Sequence, residues 1–290
     1  MTVLRSARLG IAYQSRGPGE GPVVLCLHGF PDVPQTWDSL GKALADDGFR
    51  VVSPWLPGYS PSSTDGPLNA VSVADRLLSF VDELSPDAPA YLVGHDWGAL
   101  CAYPMLARAP DRFRAASLLA IPHPLIIEQN APDHPKQLLR SSYIAFFLLR
   151  RVAERLIRLR NFALVERLWR LWSPGFEPNA EHLEAVKRCL EVSMPAPLEY
   201  YRALSSPKFI REFRRVLDTE PIPVPTLYLH GERDGCMAAD IAKGQSRYFS
   251  ALFETIILTE SGHFLHLERP EEVNRAIRTW FQKEKGDSPL

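Results

Sequence analysis

The chain has 290 residues, 46% hydrophobic and 23% charged, with 33 basic and 34 acidic side chains and a net charge of -1. That length allows one large domain or two ordinary ones with a well-buried core, and the balanced charge offers no general field for nucleic acid. No apolar run approaches the roughly 20 residues that span a bilayer, the start lacks the apolar stretch of a signal peptide, and the four cysteines are too scattered for disulfides or a structural zinc. The expectation is therefore a soluble, cytoplasmic protein without metal or cofactor, ending in a frayed segment at 287–290.

Residues 22–29 (PVVLCLHG) are apolar, β-branched at the start and closed by glycine, the pattern of a strand buried on both faces. Runs of the same kind stand at 50–53, 90–94, 115–121, 226–231 and 254–258. Helical periodicity fills 35–46, 73–84, 97–109 and, after Pro270, 271–283. Strand alternating with helix predicts an α/β fold, a mostly parallel sheet covered on both faces. In such sheets the chemistry sits at the carboxyl ends of the strands.

The alternation stops between 123 and 220. That stretch contains no convincing strand and predicts helices over 137–150, 152–172, 181–192 and 197–204. The simplest reading is an all-helical cap, 123–220, inserted into a core made of 1–122 and 221–290. Val152, Leu156, Leu159 and Ala163 repeat at helical spacing, and seven arginines fall between Arg150 and Arg170. A basic amphipathic helix could lie on an anionic membrane, but the expected role here is a solvated cap face.

The strongest local signal is Gly94-His95-Asp96-Trp97-Gly98, which follows a strand and opens a helix. Gly-x-nucleophile-x-Gly in that setting is the nucleophile elbow, a strained turn that lifts its central side chain above the sheet. An Asp that merely caps the next helix needs no glycine on either side. With Asp96 as nucleophile the product is an ester, which water can cleave at the aspartate's own carbonyl, and the carboxylate is ionised at neutral pH without help. The substrate is then an sp³ carbon bearing a leaving group, an epoxide or an alkyl halide.

Ester hydrolysis needs an oxyanion hole, a base and an acid to orient the base. His28-Gly29-Phe30-Pro31 follows the first strong strand, so the backbone N–H groups of Phe30 and Trp97 are the candidate donors. His263 lies just after the last strand and is the candidate base. Asp234, 29 residues earlier at the end of the preceding strand, is the candidate acid, with Glu232 as its competitor. Phe30, Trp97 and Phe264 are expected to line the substrate pocket. His28, His230 and His266 are read as structural, and His95 and Cys236 as shaping the surroundings.

Taken in order, the HGFP, GHDWGA, HGERDGC and GHFLHLERP segments resemble the epoxide hydrolase branch of the α/β-hydrolase fold across essentially the whole chain. The resemblance implies cofactor-independent hydrolysis of a small apolar epoxide to a vicinal diol through an aspartyl ester. It also implies two cap tyrosines that hold the epoxide oxygen: Tyr143, in a segment ending in aromatic residues, and Tyr201, directly before Arg202. The sequence departs from the family at Ser142, where tryptophan is frequent, and at Leu56, before the Pro/Gly turn. The competing readings are a haloalkane dehalogenase with the same triad and a non-catalytic ligand-binding protein. Nucleic-acid and membrane contacts are not expected, and oligomeric state stays open.

Overall fold

The structure, a computed structural model, describes residues 2–285, so the expected frayed end at 287–290 lies outside the described residues. Eight strands form one sheet: β1 (Leu4–Ser6), β2 (Ile11–Arg16), β3 (Val23–Leu27), β4 (Arg50–Pro54), β5 (Ala90–His95), β6 (Phe113–Leu119), β7 (Thr226–Gly231) and β8 (Phe253–Leu258). Their spatial order is β1-β2-β4-β3-β5-β6-β7-β8. β1, β2 and β4 pair antiparallel, and all pairs from β4 to β8 are parallel. The mostly parallel α/β sheet expected from the alternation is therefore present.

Both faces are covered, which is why β3, β5 and β7 are buried at every residue. On one face α1 (Asp38–Asp46) and α12 (Pro270–Lys285) bring Leu40, Leu44, Ile277 and Phe281 onto Val24 and Val93. On the other, α2 (Ala70–Leu84) and α3 (Trp97–Arg108) bring Leu77, Phe80, Ala102 and Leu106 onto Leu25 and Leu92. Two expectations need adjustment. The antiparallel hairpin β1–β2 was not foreseen, because its short, polar-rich strands carry no buried run. β8 is an edge strand with exposed residues, Ile257 being 42% exposed, rather than a strand buried on both faces.

Between β6 and β7 the chain is helical: α4 (Pro124–Asn130), α5 (Pro135–Arg140), α6 (Ser142–Phe147), α7 (Val152–Trp172), α8 (Ala180–Ser193), α9 (Ala196–Ala203) and α10 (Pro207–Leu217). The single helix expected over 137–150 is two helices broken at Ser141. Gln137 and Arg140 at that break reach out to the backbone carbonyls of Cys236 and Asp234. α7 is interrupted at Leu159–Phe162, where Arg160, Asn161 and Phe162 have φ of 51°, 53° and 59°. The cause is a slip in the apolar period: Ala153 and Ile157 are four apart, but the next buried residue, Phe162, comes five later. Val152, Leu156 and Leu159 are left on the outside. α10 was not foreseen, although Ser206 caps its start and Pro207 occupies its first turn. α11 (Leu265–Glu268) completes the set after β8.

Candidate active site

Asp96 occupies the turn from β5 into α3 with φ 51° and ψ -118°, a backbone conformation unfavourable for a residue with a Cβ. Its neighbours must be small. A Cβ on Gly98 would lie 2.2 Å from the Leu27 carbonyl oxygen, and one on Gly29 would lie 2.3 Å from the Asp96 Cβ. The Asp96 side chain makes no capping bond to α3. It turns instead toward the loop after β3, where the Phe30 N–H donates to its Oδ1 at 2.7 Å. The Trp97 N–H opens α3 and belongs to the first turn, whose amides have no intrahelical acceptor.

The loop after β8 brings His263 to the same place. Its Nε2 lies 3.6 Å from Asp96 Oδ2, close enough for charge attraction and beyond hydrogen-bond length, while its Nδ1 is 2.8 Å from Asp234 Oδ2. All three side chains are buried. Asp234 is itself held: its Oδ1 accepts from the Cys236 and Met237 N–H groups, and Arg140 donates to its backbone carbonyl at 2.7 Å. Glu232, the competing acid, is exposed and accepts from the Glu260 N–H instead. Burial alone would lower the His263 pKa. The charge and hydrogen bond of Asp234, with a smaller contribution from Asp96, reverse that and raise it to about 10. Burial likewise pushes the Asp234 carboxyl up, but the His263 ring outweighs it and the net shift is downward. The mutual attraction favours the imidazolium and carboxylate forms of the pair.

Over the carboxylate lies a cavity of about 290 Å³. Asp96, Trp97, Tyr143, Tyr201 and Cys236 line it together with apolar side chains such as Leu204, just past α9, and Phe209 and Phe213 of α10. The Tyr143 and Tyr201 rings meet edge to face at 5.7 Å, and Tyr201 stands edge-on to Trp97 at 4.9 Å. The Tyr201 hydroxyl makes no hydrogen bond of good geometry among the described residues, with Trp97 and Tyr143 its polar neighbours, and the Tyr143 hydroxyl meets the Cys236 thiol at 3.5 Å. Burial, with the Asp96 charge contributing, raises both phenols well above their ordinary range, so they remain O–H donors. Of the three residues expected to line the pocket only Trp97 does. Phe30 packs behind Tyr201 and Phe147, and Phe264 stacks flat on Trp169 with ring centroids 3.7 Å apart.

The remaining histidines serve the scaffold. His28 accepts from the Leu56 N–H, His95 bonds the His263 carbonyl oxygen, His230 bonds the Met237 carbonyl oxygen, and His266 bonds Thr36. Among the described residues two buried groups bring possible ligand atoms within 4.8 Å of one another: Asp32, His95 and His266, and Asp96, Cys236 and His263. In the second group Asp96 and His263 are engaged as described and burial keeps the thiol protonated, which a metal ligand is not. In the first, the unpartnered Asp32 Oδ2, His95 Nδ1 and His266 Nδ1 form a set that a bridging water satisfies as fully as an ion.

Sequence reasoning missed the support of Tyr201. Arg202, buried, donates to Glu154 at 2.6 Å, to Glu199 at 2.9 Å and to the Phe147 carbonyl at 3.1 Å, tying α9 to α7 and α6. It also missed Gln137 and Arg140 behind the acid loop. No local pattern announces either, because each acts on residues far away in sequence.

A family model described as alpha/beta hydrolase fold matches residues 22–270. Epoxide hydrolase 4 of Homo sapiens is 29% identical over 97% of this chain and 78% of its own length. AB hydrolase superfamily protein YfhM of Bacillus subtilis is 26% identical over 92% of this chain and 93% of its own. Among solved structures, an epoxide hydrolase from Bacillus megaterium (M145A mutant) superposes with a TM-score of 0.82 at 23% identity, covering 97% of this chain and 100% of that one. The epoxide hydrolase VrEH1 of Vigna radiata gives 0.79 at 22%, covering 94% of each chain. The sheet order, the turn that carries Asp96 and the extent of the family match lead to one conclusion: this chain belongs to the alpha/beta hydrolase fold family.

Proposed function

We propose that the protein hydrolyses apolar epoxides to vicinal diols through a covalent ester on Asp96, with 123–220 acting as a cap over a core of 1–122 and 221–290. The observation that carries this reading is the pair of buried phenols, Tyr143 and Tyr201, lining the same apolar cavity as the Asp96 carboxylate. Epoxide opening generates a basic alkoxide, which needs O–H donors to polarise the ring and then protonate the oxygen. In the proposed sequence Asp96 Oδ2 attacks a ring carbon while Oδ1 stays on the Phe30 N–H. The phenols hold and protonate the departing oxygen.

The second half-reaction draws on the opposite side of the site. With the Asp96 charge cancelled by the ester, His263 gives up its resting proton, which returns through solvent to the tyrosinate left by ring opening. The neutral ring, oriented by Asp234, then takes a proton from water as the water attacks the ester carbonyl. The oxyanion formed there is met by the Phe30 and Trp97 N–H groups, and its collapse expels the diol oxygen, which takes the proton of the new Asp96 carboxyl. No step draws on a cofactor or a metal. Relatives named epoxide hydrolases, matched along nearly the whole chain, support the substrate class.

One observation favours a second reading. The Trp97 Nε1 is buried beside Asp96 without a partner among the described residues, and an indole N–H suits a departing halide. A halide is usually held by two such donors, and Phe30 stands at the loop position where another would serve. Assaying aryl, alkyl and fatty-acid epoxides beside a bromoalkane decides between them. Diol formation faster than bromide release supports epoxide hydrolysis, and the reverse order replaces it with dehalogenation.

A further inference from the structure

The first half of α7 presents an outward face that the hydrolytic reading does not use. Val152 and Leu156 stand at i and i+4 on one side of the helix, Leu159 follows at i+7 where the helix breaks, and the three are 49%, 43% and 56% exposed. Leu149, in the turn just before them, is 53% exposed. The inward side is carried by Ala153 and Ile157, which are buried. Exposed apolar residues scattered singly need no explanation, but a contiguous stripe does.

The stripe is interleaved with charge of one sign. Arg151, Arg155, Arg158 and Arg160 are all exposed, and among the described residues no carboxylate lies in ion-pair range of any of them. Two neighbouring acids are engaged elsewhere: Glu154 turns inward onto Arg202, and Glu199 pairs with Arg150 and Arg202. Arg158 spends one N–H on the Glu191 carbonyl oxygen, which leaves its charge uncompensated. The whole chain carries a net charge of only -1, so this cluster is a local feature. The left-handed residues Arg151 (φ 64°) and Arg160 (φ 51°) bound the segment at either end.

We propose that residues 148–160 form a docking surface for an anionic lipid membrane. Leucines that border arginines on one exposed helical face suit that occupant: the apolar stripe enters the acyl boundary while the guanidinium groups meet headgroup phosphates. An aqueous surface would favour the arginines but not the leucines, and an apolar protein partner the reverse. The segment continues directly from α6, which brings Tyr143 and Ile144 to the cavity. Docking would therefore bring the cavity wall to the phase in which apolar molecules dissolve. Among the described residues no helix is long and apolar enough to cross a membrane, and the proposed contact is a peripheral one. The inference does not depend on which reaction the site catalyses.

Co-sedimentation of the full chain with vesicles tests it. Binding is expected to phosphatidylcholine vesicles containing phosphatidylserine, to weaken with added salt, and to be much weaker on phosphatidylcholine alone. Arg155→Glu with Arg158→Glu should weaken binding by more than about 25-fold, at about fivefold or more per arginine lost. Leu156→Gln with Leu159→Gln should also weaken it, Arg155→Lys with Arg158→Lys should preserve it, and turnover of a water-soluble substrate should be unchanged in all three. Vesicle binding that ignores both the charge-reversing and the leucine variants overturns the proposal. So does indifference to anionic vesicles; a dimer, seen by sedimentation velocity, that Leu156→Gln with Leu159→Gln dissolves would then assign the face to a second copy of the chain.

Discussion

The Phe30 N–H donates to Asp96 Oδ1 at 2.7 Å, so one carboxylate oxygen is already engaged before any substrate is present. In the proposed mechanism Oδ2, on the side of His263, is the attacking oxygen, and Oδ1 becomes the carbonyl oxygen of the ester with its oxyanion donor in place. A single turnover in heavy-oxygen water should put the label into Asp96, because water attacks the ester carbonyl and the diol takes its new oxygen from the carboxylate. Label found only in the diol of the first turnover would eliminate the ester intermediate.

Replacing His263 with Gln should leave ester formation largely intact and stop its hydrolysis, because in the proposed mechanism the ring acts on water and not on the epoxide. Intact-protein mass spectrometry should show a stoichiometric adduct with an epoxide. Normal steady-state turnover in this variant removes His263 from the mechanism.

The pH behaviour of His263 follows from its position between two carboxylates. Its pKa in the folded protein, raised to about 10, lies above the ordinary value near 6.5. The stabilisation it brings is therefore complete below about pH 6.5 and is lost as the pH rises through about 10. Esterification of Asp96 cancels one of the two charges, so the ring should lose its proton more easily in the intermediate. In rapid-quench experiments ester breakdown should quicken as the pH rises, and NMR should find the ring titrating lower in Asp96→Asn. A breakdown rate indifferent to pH contradicts the assignment of His263 as base.

Tyr143→Phe or Tyr201→Phe alone should slow epoxide turnover by about tenfold to a few hundredfold, the usual range for one lost donor, with about 1.4 kcal/mol per factor of ten. The double variant should nearly abolish alkylation of Asp96, since the alkoxide would form without a donor in a cavity with largely apolar walls. Normal alkylation by epoxides in the double variant, with the fold intact by circular dichroism, refutes the role given to the phenols.

Arg202 supports Tyr201 from behind. Arg202→Met should destabilise the protein by about 3–5 kcal/mol, the range for removing one partner of a buried ion pair and stranding the other, here Glu154. Its kcat should fall more than its KM rises, because the Tyr201 hydroxyl loses its position. A thermal unfolding midpoint equal to that of the parent protein argues against this.

Asp96, His263, Phe30 and the parallel sheet were legible in the sequence because each follows from a local rule. A strand end closed by glycine, a Gly-x-Asp-x-Gly turn and an apolar run buried on both faces constrain the backbone within a few residues. The choice of Asp234 over Glu232 was less local: both stand after β7, and only the loop after β8 decides which carboxylate meets the His263 ring. The pocket walls were less legible still. α10 supplies Phe209 and Phe213 from a segment with a readable cap, yet Phe30 and Phe264, which adjoin the motifs, pack elsewhere.

The helical excursion shows the limit most clearly. Val152, Leu156 and Leu159 repeat as a core face would, but the register slip before Phe162 lets Ala153 and Ile157 take the inside. Periodicity marks a helix face without saying which face finds a partner, since that depends on the surface it packs against. The sequence by itself determined the sheet, the elbow and the residue types of the site. The tertiary structure decided which acid, which aromatic walls and which apolar stripe face inward, because burial and pairing are set by residues distant in the chain.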